Sequence, residues 1–232
     1  MADRNTPRYT VPSLTPQQGA KVATILQERL NSLTDLHLTL KHVHWNVVGP
    51  HFIAVHEMLD PQVDAVRAMT DAIAERIATL GTSPVGTPGA LVAARTWDDY
   101  SLRRASAIEH LGALDEVYEG VITAHRKAAK DTESLDDVTN DLLIGHLHEL
   151  ELFHWFVRAH LESAGGELST AGATTEKGAA QKAAAGARTT STRSTGAKAA
   201  PKTAPKTASK APAKAAAART SSAKTTTARK KK

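Results

Sequence analysis

Apolar residues recur at three- and four-residue steps through Val22, Ile25, Leu26, Leu33, Leu36, Leu40 and Val43, which places them on one face of a helix. Pro16 stands near its start, and Gly49-Pro50 closes it. The period returns through Leu59, Val63, Val66, Ile73, Ile77 and Leu80, then stops at the breaker-rich run GTSPVGTPG. A short helix is expected at residues 90–95 inside the connection that follows. Two more periodic stretches run from about Trp97 to Lys130 and from about Leu135 to Ser163. The last carries Asp136 and Asp137 in its first turn, where acids suit the helix dipole. No stretch alternates as a strand would. The pattern predicts an all-α four-helix bundle with a long crossover between its second and third helices and a short helix in that crossover. Pro61 is expected to kink the second helix, because the apolar period begins before it.

Charge divides the chain differently. From Thr170 to Lys232 there is no Val, Ile, Leu, Met, Phe, Tyr or Trp, and the net charge is +14, whereas residues 1–169 carry −9. A segment without large apolar side chains has little to set against chain entropy of roughly 1–2 kcal/mol per residue. The expected organisation is therefore a flexible N-terminal arm at 1–15, a bundle at 16–168 and a disordered basic tail at 169–232. Within the tail, Lys198, Lys202, Lys206, Lys210 and Lys214 stand four residues apart, followed by Arg219, Lys224, Arg229, Lys230, Lys231 and Lys232. With no aromatic residue to stack on bases, the tail is expected to bind double-stranded DNA through phosphates, without sequence preference. There is no cysteine, so disulfides and thiolate chemistry are excluded. The first residues lack a signal-peptide pattern and no apolar run spans a membrane, so a cytoplasmic location is expected.

The chemistry lies in the second helix. His56 and Asp60, and again Asp71 and Glu75, are spaced i, i+4. At about 100° per residue they form a polar stripe beside the apolar face rather than within it. Such pairs are usually a solvated face. These are mirrored about one point, however, and lie next to a histidine-rich run, KHVHWNVVGPHFIAVH. Asp60 and Asp71 are roughly 16 Å apart along a helix, far beyond what one metal ion spans. A second copy crossing antiparallel near residues 65–66 would set His56 against Glu75 and Asp60 against Asp71, twice per two-fold dimer. Mixed nitrogen and oxygen ligands suit iron, zinc or manganese. His44, near the end of the first helix, adds a further imidazole.

Residues 35–81 resemble the ferroxidase signature of the Dps family, small ferritin-like proteins that bind DNA in starved cells. The motif is a His-Trp pair, a His twelve residues on, an acid four further, then Asp and Glu in DxxAER; His44-Trp45, His56, Asp60, Asp71 and Glu75 stand at those spacings. The resemblance covers nearly all of residues 10–168. It implies a hollow homo-dodecamer built from two-fold dimers. Fe(II) would be oxidised there at sites of two iron ions each, preferentially by hydrogen peroxide, and stored as ferric mineral. It also implies that Trp45 lies close to the iron as an oxidant quencher, that Asp136 and Asp141 line a three-fold pore for iron, and that the protein associates with the nucleoid. The competing reading is a non-enzymatic, histone-like architectural protein whose helical cage only scaffolds the tails. Glu151 and His154 form a lone Glu-x-x-His without the second copy that an intrachain di-iron site needs. His37, His42 and His51 read as surface or packing residues.

Overall fold

The computed structural model describes residues 7–194. Helix α1 (Pro16–Asn46) begins at a capping box: the Thr15 hydroxyl accepts from the Gln18 amide, and the Gln18 side chain accepts from the Thr15 amide. Helix α2 (Phe52–Thr79) follows a tight turn in which Gly49 and His51 both take positive φ, of 83° and 66°. Helix α2 runs through Pro61. The crossover holds α3 (Pro88–Ala94), close to its expected position.

Helix α4 (Ala107–Thr132) starts about ten residues later than its apolar period suggested. The reason is a second capping box, between Ser106 and Glu109, which fixes the helix start regardless of the apolar residues before it. The bundle closes with α5 (Asp137–Leu161). Two two-residue strands, β1 (Val47–Val48) and β2 (Ala105–Ser106), pair in parallel where α1 ends and α4 begins, a contact no alternation announced.

Helices α1 and α2 pack along one another, α4 packs along α5, and α1 meets α4. Their shared core includes Leu26, Leu33, Leu40, Leu59, Val66, Ile73, Leu114, Tyr118, Leu143 and Leu150. This core holds the outward stripe of α2 in place, since each buried Leu or Ile there is worth about 1.5–3 kcal/mol.

The expected disorder from 169 onward does not hold up to residue 194. Residues 163–175 fold back, and α6 (Glu176–Ser194) lies along α4. Ala179, Ala180 and Ala183 are buried there. Gly112 makes this approach possible, because a Cβ at that position would meet the Ala179 carbonyl oxygen at 2.8 Å. Small residues let the two backbones come close, so contact replaces the large side chains the segment lacks. Part of the expected arm lies against the end of α2. Gly81, at φ 84°, lies so close to the Tyr9 carbonyl that a Cβ would sit 2.2 Å from it. The eleven basic residues from Lys198 onward lie outside the described residues.

Candidate metal centre

His44 ends α1 and His56 opens α2, and the turn between the helices stacks their rings at a centroid distance of 3.6 Å. The two are bonded reciprocally. His44 Nδ1 donates to the His56 carbonyl at 3.0 Å, and His56 Nδ1 donates to the His44 carbonyl at 2.9 Å. A carbonyl can only accept, so each Nδ1 carries a proton, and Nε2 is the nitrogen of each ring left to offer a lone pair to a metal. Backbone contacts thus orient both imidazoles as ligands do in metal sites.

Asp60 stands one turn along α2, with Oδ1 3.3 Å from His44 Nδ1. It is exposed, and Lys41 reaches across from α1 to bond it at 3.0 Å. That hydrogen bond, aided by the charge of Lys41, holds the Asp60 carboxyl below its usual range. Lys41 was not singled out in the sequence. Its signal was its place three residues before His44 on one helix face, but a pairing between helices leaves no periodic trace.

Asp71 and Glu75 are exposed further along α2. Among the described residues of one chain, no three histidines or acids come together as a metal site. On α1 and the start of α2, large apolar side chains face outward: Leu38, Trp45, Phe52 and Ile53. Trp45 is 71% exposed, so it is not a core aromatic; Lys41 Nζ lies 5.9 Å from its ring centroid.

Most of the other candidates are engaged within the chain. Asp136 accepts from Arg76 Nη2 at 2.6 Å and from the Thr139 hydroxyl, and its side chain is buried. Burial alone would raise its carboxyl; Thr139 and Arg76 outweigh that and hold it low. Asp141 is exposed on the first turns of α5. Glu151 pairs with Arg126, and His154 Nε2 donates to Asp115 at 2.7 Å, so the Glu-x-x-His pair serves two separate contacts. His42 bonds the Leu102 carbonyl at 2.8 Å, and His51 occupies the turn before α2.

The ferritin-like domain family matches residues 23–164. Within it, the chain is 61% identical over 175 residues to a DNA protection during starvation protein of Mycolicibacterium smegmatis, covering 75% of this chain and 96% of that one. A solved Mycobacterium smegmatis Dps structure superposes with a TM-score of 0.72 at 60% identity, over 73% of this chain and 97% of that one. A Dps structure from Streptomyces coelicolor gives 0.70 at 63% identity, over 71% and 98%. The chain belongs to the Dps family of ferritin-like proteins.

Proposed function

We propose that this chain oxidises Fe(II) at sites shared between two subunits, stores the ferric product, and binds DNA through its basic tail. The observation that carries this is the reciprocal bonding of His44 and His56, which leaves Nε2 of each imidazole unused by the backbone, with the Asp60 carboxylate 3.3 Å from His44 Nδ1. One chain supplies only that half of a site; Asp71 and Glu75 sit at the mirrored positions of the same exposed face. A two-fold copy of α2 joins the halves, and the outward Leu38, Trp45, Phe52 and Ile53 give that contact an apolar patch to bury.

Each site then joins His44, His56 and Asp60 of one subunit to Asp71 and Glu75 of the other. Carboxylates favour Fe(III) over Fe(II), and two ferrous ions side by side deliver two electrons to one hydrogen peroxide, which leaves as water without releasing hydroxyl radical. Lys41 holds Asp60 until iron displaces it. Trp45, at the same surface, is placed to donate an electron to stray oxidant.

In this reading the subunits close into a dodecamer. The exposed Asp141 draws iron to a three-fold pore, while Asp136 stays neutralised by Arg76. The tails bind and compact DNA without sequence preference and tie the protein to the nucleoid in the cytoplasm; among the described residues no helix is long and apolar enough to cross a membrane. Anaerobic loading with Fe(II) followed by peroxide tests the reading against a purely architectural one. The expected result is consumption of one peroxide per two Fe(II), abolished in His56→Ala. Peroxide-driven oxidation no faster than in protein-free buffer would reject it.

A further inference from the structure

A cleft of about 570 Å³ lies between α1, the loop at 96–101, α4 and the segment at 174–177. Its size is that of a small-molecule site. Most charged groups on its inner walls already have partners. Asp35 accepts from Trp97 Nε1 at 2.8 Å and from Arg95 at 3.4 Å. Asp99 pairs with Arg95, and Glu176 accepts from the Ser101 amide at 2.8 Å. Asp98 and Lys177 stand at the exposed rim.

Two groups are different. Arg29, on α1, is 7% exposed, and its Nε and Nη1 have no hydrogen-bond partner. Its Nη2 is 3.8 Å from Glu28, a solvent-facing carboxylate. A buried donor left without an acceptor costs about 1–3 kcal/mol, more when charged. Glu116, on α4, is half-buried, and the two cations whose charges reach it are held elsewhere, Lys182 on the Ala171 carbonyl at 2.7 Å and Arg158 by Asp115 and Glu119. Burial, with Asp115 and Glu119 nearby, raises the Glu116 carboxyl.

We propose that this cleft binds a small dipolar molecule of the amino-acid class, its carboxylate accepting from Arg29 and its ammonium donating to Glu116. Leu36, Val117, Val121 and the Trp97 ring line the space for an apolar side chain. A simple anion would answer Arg29 but sit among Asp35, Asp98, Glu116 and Glu176. A simple cation would suit those acids but leave the guanidinium nitrogens unmet. A molecule with both charges answers both groups. Arg29 lines the cleft, and its side chain has several free torsions through which the guanidinium can turn toward a bound carboxylate.

The test uses the full-length assembled protein and three probes of one shape: L-leucine, 4-methylpentanoate, which lacks the amine, and 3-methylbutylamine, which lacks the carboxylate. Binding is read by isothermal titration and saturation-transfer NMR. Leucine is expected to bind at least about tenfold more tightly than either half-molecule. Glu116→Gln should reduce leucine to the level of 4-methylpentanoate, and Arg29→Gln to that of the amine. Equal binding of all three probes, or binding of none at millimolar concentration, would overturn the proposal. So would leucine affinity unchanged by Glu116→Gln, a substitution at a half-buried position that keeps the test readable if Arg29→Gln fails to assemble.

Discussion

Two histidine–carboxylate clusters in this chain have similar ingredients and opposite character. Around Asp115 every acceptor is occupied: Oδ1 takes His154 Nε2 at 2.7 Å and Arg158 Nε at 2.9 Å, and Oδ2 takes the Thr170 hydroxyl at 2.7 Å. Burial would raise this carboxyl, but the three donors and the Arg158 charge bring it down to about 2. Around Asp60 the backbone uses only one nitrogen of each imidazole, and the carboxylate is open to solvent apart from Lys41. The first cluster is closed and ties α4, α5 and the segment leading to α6 together. The second has coordination left over. Unused lone pairs, rather than the residue types, separate a binding site from a strut.

The sharpest way to break the comparison is to remove each carboxylate. Asp115→Ala leaves His154, Arg158 and Thr170 without their acceptor, and breaking such a buried pair costs about 3–5 kcal/mol. Asp60→Ala, at an exposed position, should shift stability by less than about 0.5 kcal/mol while Fe(II) oxidation collapses. Chemical denaturation of both variants checks this, and equal losses of stability would erase the distinction.

A second contrast lies within the C-terminal segment, between the docked α6 and the eleven basic residues beyond it. Cutting after residue 194 keeps α6, and cutting after residue 169 removes it as well. Because each neutralised phosphate contributes about −0.9 to the slope of log affinity against log salt, the first cut should already cost about 100-fold in duplex binding at low salt. The second should add little. Gel shifts across a salt series read this directly; a large further loss on removing α6 would move the main contact onto that helix.

A smaller effect concerns the buried imidazoles. Burial, with the Arg29 charge, lowers His125 to about 3, and burial lowers His146 to about 4. Both are neutral in the folded chain but take up a proton on unfolding below about pH 6.5. The unfolded state then binds more protons, so stability falls as pH falls from about 6.5 toward 4, by up to about 1.4 kcal/mol per pH unit for each imidazole. Denaturation midpoints between pH 7 and 4.5 should show this slope, and His125→Phe should flatten it.

Much of this was legible in the sequence because it is local. The apolar period placed α1, α5 and the end of α2 within a few residues, and the mirrored spacing of His56, Asp60, Asp71 and Glu75 marked the stripe before any contact was known. What was missed depends on contacts distant in the chain. Helix α6 reads as disordered because alanine alone carries its buried face, and only Gly112 on α4 shows that alanine suffices. Lys41 and Asp60 meet across two helices. Asp136 lies within reach of Arg76 only because the start of α5 packs there. The start of α4 was visible as Ser106 and Glu109, but the scattered Trp97, Tyr100 and Leu102 before it extended the apolar period and masked the capping signal.

The shared site is tested most directly by co-assembling His56→Ala and Asp71→Ala chains. Each alone breaks both sites of its dimer. In a mixed dimer one site carries both defects and the other keeps every ligand. Peroxide-driven Fe(II) oxidation is therefore expected to be lost in each variant alone and to return, toward half the wild-type rate per mixed dimer, after joint unfolding and reassembly. Mixed assemblies, verified by mass, that stay as inactive as the separate variants would contradict a site built from two subunits.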